Sequence, residues 1–155
     1  MSFRITGLSP APFRHLFGLS GEDLARYGAR RFAVDRSPGY PDRIELRDAE
    51  PGDSVLLVNY THQPTDTPYR ASHAIYVREG AQAAYDAVDQ IPDVMRLRMI
   101  SLRAFDAEGM LVDADLTDGT ALEPLITRLL AAPNAAYLHA HYAKPGCYAA
   151  RIDRA

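Results

Sequence analysis

His139 and His141 stand two residues apart in the run Tyr137-Leu-His139-Ala-His141-Tyr142, and the chain's single cysteine, Cys147, follows shortly after. Side chains of a strand alternate between the faces of a sheet, so these two imidazoles project to one side whatever strand pairs with them. A His-x-His strand can give two neutral nitrogen ligands to zinc, iron, copper or nickel, and His139 and His141 are the candidate metal ligands. A third ligand would come from another strand, with His62, His73, Asp113 and Asp115 available. The same residue types also suit proton transfer, since only histidine titrates unaided near neutral pH; His73, His139 and His141 are therefore the candidate catalytic residues.

A second group brackets a loop. His62 closes one predicted strand and His73 opens the next, with Gln63 to Ser72 between them, a stretch carrying Pro64 and Pro68 and no regular period. His62, Tyr69, Arg70 and Ser72 are the candidate ligand-binding residues on its rim. The planar fork of Arg70 matches a carboxylate or phosphate, so a small anionic ligand is the expected partner. The structural alternative is a loop closed by side chains bonding its own backbone. Asp113-Ala-Asp115 puts two carboxylates on one face. Arg103 across a predicted hairpin offers Asp113 a partner worth roughly 0.2 to 1 kcal/mol, which favours a structural role. Cys147 as a nucleophile would need His139 or His141 as its base; a small packing residue is the commoner use. The sequence has no GxSxG, GxxxxGK[ST] or GxGxxG motif, which removes the easily recognised hydrolase, nucleotide-triphosphatase and dinucleotide readings.

These residues need a scaffold, and the composition supplies an ordinary one. At 155 residues, 47% hydrophobic and 24% charged, the chain reads as one domain over residues 1–155 with a core of its own. The net charge of −3, with basic residues dispersed, argues against a nucleic-acid partner. No apolar run approaches the roughly 20 residues a membrane span needs. The opening residues lack a secretory pattern, and the lone cysteine fits a reducing compartment, so a cytoplasmic location is expected.

Strands are predicted at Phe3 to Thr6, Arg30 to Asp35, Arg43 to Leu46, Ser54 to His62 and His73 to Arg78. Val55-Leu-Leu-Val58 is apolar on both faces, as a central strand should be. Helices are predicted from Ser9-Pro10 to Phe17, from Ser20 to Gly28, over Gln82 to Val88 and over Gly119 to Ala132. Leu97 to Asp106 and Met110 to Leu116 read as a hairpin whose pattern sets Ala104 against Val112 and Arg103 against Asp113. In the last hairpin, turn chemistry at Pro145-Gly146 would pair Lys144 with Cys147, while the apolar pattern pairs Ala143 with Cys147. The second choice groups Tyr148 with Leu138, Ala140 and Tyr142, leaving Cys147 beside the histidines. The sum is an α+β fold, a mostly antiparallel sheet of about seven strands with about three helices.

Several stretches together carry a resemblance: Phe3-Arg-Ile-Thr-Gly-Leu, Asp48-Ala-Glu-Pro-Gly52, Pro68-Tyr-Arg-Ala-Ser-His73, Leu102-Arg-Ala-Phe-Asp106 and Lys144-Pro-Gly-Cys-Tyr148. The chain resembles, over nearly its full length, a bacterial family catalogued as domain of unknown function 1203. That resemblance implies a stand-alone cytoplasmic bacterial domain and brings no reaction, cofactor or site residue with it.

Three functional readings follow. The leading one is a small-molecule-binding domain, an enzyme if the polar groups converge, with a site built from His62, Arg70, Ser72, His73, His139 and His141. The second is a noncatalytic interaction module or homodimer that meets its partner through a tyrosine-rich sheet face or a strand edge. The third is metal-dependent hydrolysis or oxygen chemistry on the His-x-His strand.

Overall fold

The computed structural model describes residues 1–155 as two antiparallel sheets and three short α-helices. The strands are β1 (Phe3–Thr6), β2 (Arg30–Ala33), β3 (Ser54–Gln63), β4 (Ala71–Arg78), β5 (Asp86–Val88), β6 (Met99–Phe105), β7 (Leu111–Asp118), β8 (Tyr137–Tyr142) and β9 (Tyr148–Arg154). The larger sheet runs β5-β1-β9-β8-β6-β7 and the smaller β2-β3-β4. The helices are α1 (Gly21–Arg26), α2 (Asp93–Arg96) and α3 (Leu122–Leu130). The α+β expectation holds, with nine strands in place of about seven. No helix is long and apolar enough to cross a membrane.

Three layers result. Leu122, Leu125, Ile126, Leu129 and Leu130 make the apolar stripe of α3, which packs on the side of the large sheet carrying Ile100, Leu102, Ala104, Leu138, Ala140 and Ile152. The small sheet covers the opposite side. Its inner face follows the two-residue period of Leu56, Val58 and Tyr60 on β3 and of Ile75 and Val77 on β4, and it meets Tyr148 of β9. Val55 points the other way into a small core with Val34, Tyr40 and Ala49, so β3 is covered on both faces as its sequence requires. Tyr137, Tyr142 and Tyr148 are buried, Tyr142 on the helix side of the large sheet and Tyr148 on the side of the small sheet. Arg154 ties the last strand to the end of α3, donating to the carbonyls of Leu130, Ala132 and Ala135.

Several local expectations are corrected. Gln82 to Val88 is not helical: Asp86–Val88 is β5, which takes the free edge of β1. Arg43 to Leu46 is not a strand, because the buried Asp42 carboxylate accepts from the Glu45 and Arg78 amides and replaces a ladder with side-chain bonds. The segment from Ser9 to Phe17 forms only a 3-10 turn at Arg14–Leu16; Pro10 and Pro12 lack amide donors, and a residue before proline disfavours the α region. Helix α1 is as read, with Ser20 Oγ accepting from the Asp23 amide. The helix predicted from Gly119 starts as a 3-10 turn, Gly119–Ala121, before α3.

Two hairpins change face through bulges. On β7, Phe105 pairs with Leu111 but Ala104 pairs with Asp113, so Val112 is the extra residue and every later partner shifts by one. Arg103 then faces Ala114 rather than Asp113, and Asp115 pairs with Arg128 of α3 on the other side of the sheet. In the last hairpin the Tyr142 amide donates to the Cys147 carbonyl, so neither expected turn register holds. Ala140 faces Ala150 and His141 faces Tyr148, leaving Ala149 bulged. Tyr148 thereby moves to the histidine side, and Cys147 leaves it to pack against the helix-side core.

Candidate metal centre

His139 and His141 project from β8, a strand flanked by β6 and β9, toward the small sheet. His62 reaches them from β3. Thr61 pairs with Ser72 and Gln63 with Ala71, so His62 is itself the bulged residue of its strand. A bulge of this kind re-aims a side chain. Here it lets two consecutive residues be buried: His62 turns to the histidines, while the Gln63 amide bonds the Tyr137 hydroxyl at 2.9 and 3.1 Å and locks the end of β3 onto β8.

The three imidazoles offer ligand atoms within 4.8 Å of one another. Ring centroids of His62 lie 5.0 Å from those of His141 and 5.9 Å from those of His139. Their residues are 9%, 3% and 1% exposed for His62, His139 and His141. Both nitrogens of His62, Nδ1 of His139 and Nε2 of His141 are buried without a hydrogen-bond partner. An unmade hydrogen bond in the interior costs roughly 1 to 3 kcal/mol, so four such atoms in one place are an expensive arrangement unless something else binds them.

His141 is preset for a ligand role. Its Nδ1 lies 3.0 Å from the Gly146 carbonyl, which can only accept, so the proton sits on Nδ1 and the lone pair on Nε2. Zinc–nitrogen bonds of about 2.1 Å place tetrahedral nitrogens about 3.4 Å apart, so the rings must close by roughly 1 Å on an ion. His62, unrestrained at either nitrogen, has the freedom to do so.

The surroundings are apolar and electropositive. Tyr148 stacks on His62 at 5.2 Å and meets His139 edge-on at 5.1 Å; Phe105 and Tyr137 each stand 5.2 Å from His139. Burial, with repulsion from neighbouring imidazoles and from Arg103, holds His62 down to about 4 and His139 and His141 to about 3. All three are neutral at pH 7, the form that ligates metal. Arg103 stands opposite His139 on β6 and takes part in no ion pair.

The other sequence candidates divide. His73 is half-buried, its ring 6.1 Å from His62 and 6.4 Å from His141. Tyr69 touches the edge of the collar through Phe105, at 6.3 Å. Arg70 is exposed and donates to the Pro64 carbonyl, and Ser72 is exposed on the face of β4 opposite His73. The loop is a clamp rather than a rim: Thr65 packs on Gly109, and Thr67 bonds its carbonyl, which seats the loop on the β6–β7 turn. Asp113 and Asp115 lie on the helix side, away from the histidines. Sequence reading did not find Arg103 as a neighbour of the site, nor Tyr148 and Gln63. The placement of His62 had a signal, because it extends the two-residue apolar period of Leu56, Val58 and Tyr60.

Residues 39–154 match the family described as Protein of unknown function (DUF1203). The chain belongs to that family. The matched span contains all three histidines and Arg103. No curated protein and no solved structure matches the chain.

Proposed function

We propose that the protein is a metal-dependent, small-molecule-binding domain whose ion sits between His62, His139 and His141. The observation that carries this is the set of buried, unpartnered imidazole nitrogens converging from two sheets. Three protein ligands leave a coordination position open, as catalytic rather than structural zinc sites do. The chemistry a bound ion would supply there is Lewis acidity and a water made acidic near neutral pH. The protein's own residues exclude bulk water through Tyr148, Phe105 and Tyr137, and Arg103 supplies the positive charge an anionic substrate would need.

The test is elemental mass spectrometry on untagged protein purified without chelator, beside a His139→Ala, His141→Ala double variant and a His62→Ala variant. We expect about one equivalent of zinc, iron, copper or nickel, retained after dialysis and lost in both variants. Absence of tight metal after dialysis against each ion in turn, or retention in the variants, would overturn the assignment.

A further inference from the structure

A second concentration of unspent polarity lies beside the histidines, in a cavity of about 530 Å³. Three cations line it, Arg43, Arg98 and Lys144, and no acidic residue does. Arg98 is neutralised by Asp48 at 2.6 and 3.0 Å. Arg43 is not. It is 1% exposed and belongs to no ion pair, its guanidinium donating to the carbonyls of Tyr148 and Pro41 at 2.8 and 2.6 Å and to Cys147 Sγ at 2.9 Å. A guanidinium has five N–H donors, so Arg43 keeps two without a partner. A buried cation lacking an anion is a costly feature to keep.

Tyr142 adds an independent sign. Its ring lies 5.0 Å from the Arg43 guanidinium and 5.2 Å from that of Arg98, and its hydroxyl is buried with no hydrogen-bond partner although the residue lines the cavity. Burial pushes this phenol up to about 12, so it is a neutral donor at pH 7. Lys144, exposed and lining the same cavity, has no carboxylate partner either. Leu57, Leu97 and Met99 make part of the lining apolar. A lining that combines unsatisfied donors and positive charge with apolar side chains is complementary to a molecule with an oxyanion head and a hydrocarbon body.

We propose that this cavity binds a small organic anion, its carboxylate or similar head against Arg43, Lys144 and the Tyr142 hydroxyl and its apolar body against Leu57, Leu97 and Met99. The site uses none of the three histidines and stands whether or not they hold metal. His73 lines the cavity and also borders His62 and His141, so a bound anion lies one side chain from the candidate metal centre.

The experiment is isothermal titration of the chelator-treated full chain with 2-naphthoate and its neutral isostere 2-naphthamide. We expect naphthoate to bind at least about tenfold more tightly than the amide, and Tyr142→Phe and Lys144→Gln each to weaken naphthoate several-fold. Both substitutions leave the core volume nearly unchanged, and a thermal melt checks that each variant is folded. The His139→Ala, His141→Ala variant should bind naphthoate as the parent does, which separates this proposal from the metal assignment. Equal affinity for acid and amide, no binding of either, or naphthoate binding unmoved by both cavity variants would overturn it. So would loss of binding confined to the histidine variant, because the anion would then sit on the imidazoles.

Discussion

The buried histidines make the metal-free protein acid-sensitive by an amount that can be worked out. In the unfolded chain an imidazole takes its proton near 6.5; in the folded chain His62 does so near 4 and His139 and His141 near 3. Because these folded values are depressed, the unfolded state binds more protons at any pH between them, and stability falls as pH drops through 6.5. Each histidine then loses about 2 kcal/mol between pH 7 and pH 5, or about 6 kcal/mol for the three. That is a third or more of the stability of an ordinary domain, typically about 5 to 15 kcal/mol. The other strongly shifted groups do not mimic it. Glu79, held down to about 2 by Arg31, releases its contribution only below the usual value of 4.5, outside the window. Asp42, pushed up by burial, acts in the opposite direction. The assay is urea unfolding of chelator-treated protein at pH 7 and pH 5, with His141→Gln as the comparator. The parent should lose several kcal/mol, and the variant should show a pH dependence shallower by about 2 kcal/mol. Equal stability of the parent at the two pH values, within about 1 kcal/mol, would refute the picture of three neutral, water-excluded imidazoles.

Two further outcomes test the parts around the site. Gly109→Ala should cost roughly 2 kcal/mol or more in a thermal or urea melt. Gly109 has φ +88°, and a Cβ there would clash with the Thr65 side chain; a neutral result would show that the loop does not rest on the β6–β7 turn. Arg103→Gln removes the cation beside the imidazoles and should tighten zinc binding roughly threefold to tenfold in a competition titration, with weaker salt dependence than in the parent. Unchanged affinity would mean that Arg103 turns its charge away from the histidines.

Much of this architecture is written locally. The two-residue period put His139 and His141 on one side of β8, the apolar run Val55 to Val58 marked β3 as covered on both faces, and the leucine spacing of α3 named its buried stripe. These hold because they depend only on backbone periodicity and on which side chains avoid water. Three bulges decided the rest. The one at Val112 separated Arg103 from Asp113, the one at Ala149 moved Tyr148 to the histidines and Cys147 to Arg43, and the one at His62 brought Gln63 inward beside that ring to bond Tyr137. A bulge is selected by packing between layers, here α3 on one side of the large sheet and the small sheet on the other, and neither layer is adjacent in sequence to the residue it displaces. The meeting of His62 with His139 and His141, more than 70 residues apart, belongs to the same class of fact, as does Arg43 reaching Cys147 across a separation of 104. Residue type and strand alternation are enough to say which side chains can ligate and which face of their own strand they take. Which of them meet is set in three dimensions, because it depends on how two sheets stack and where each strand yields a residue to let them close.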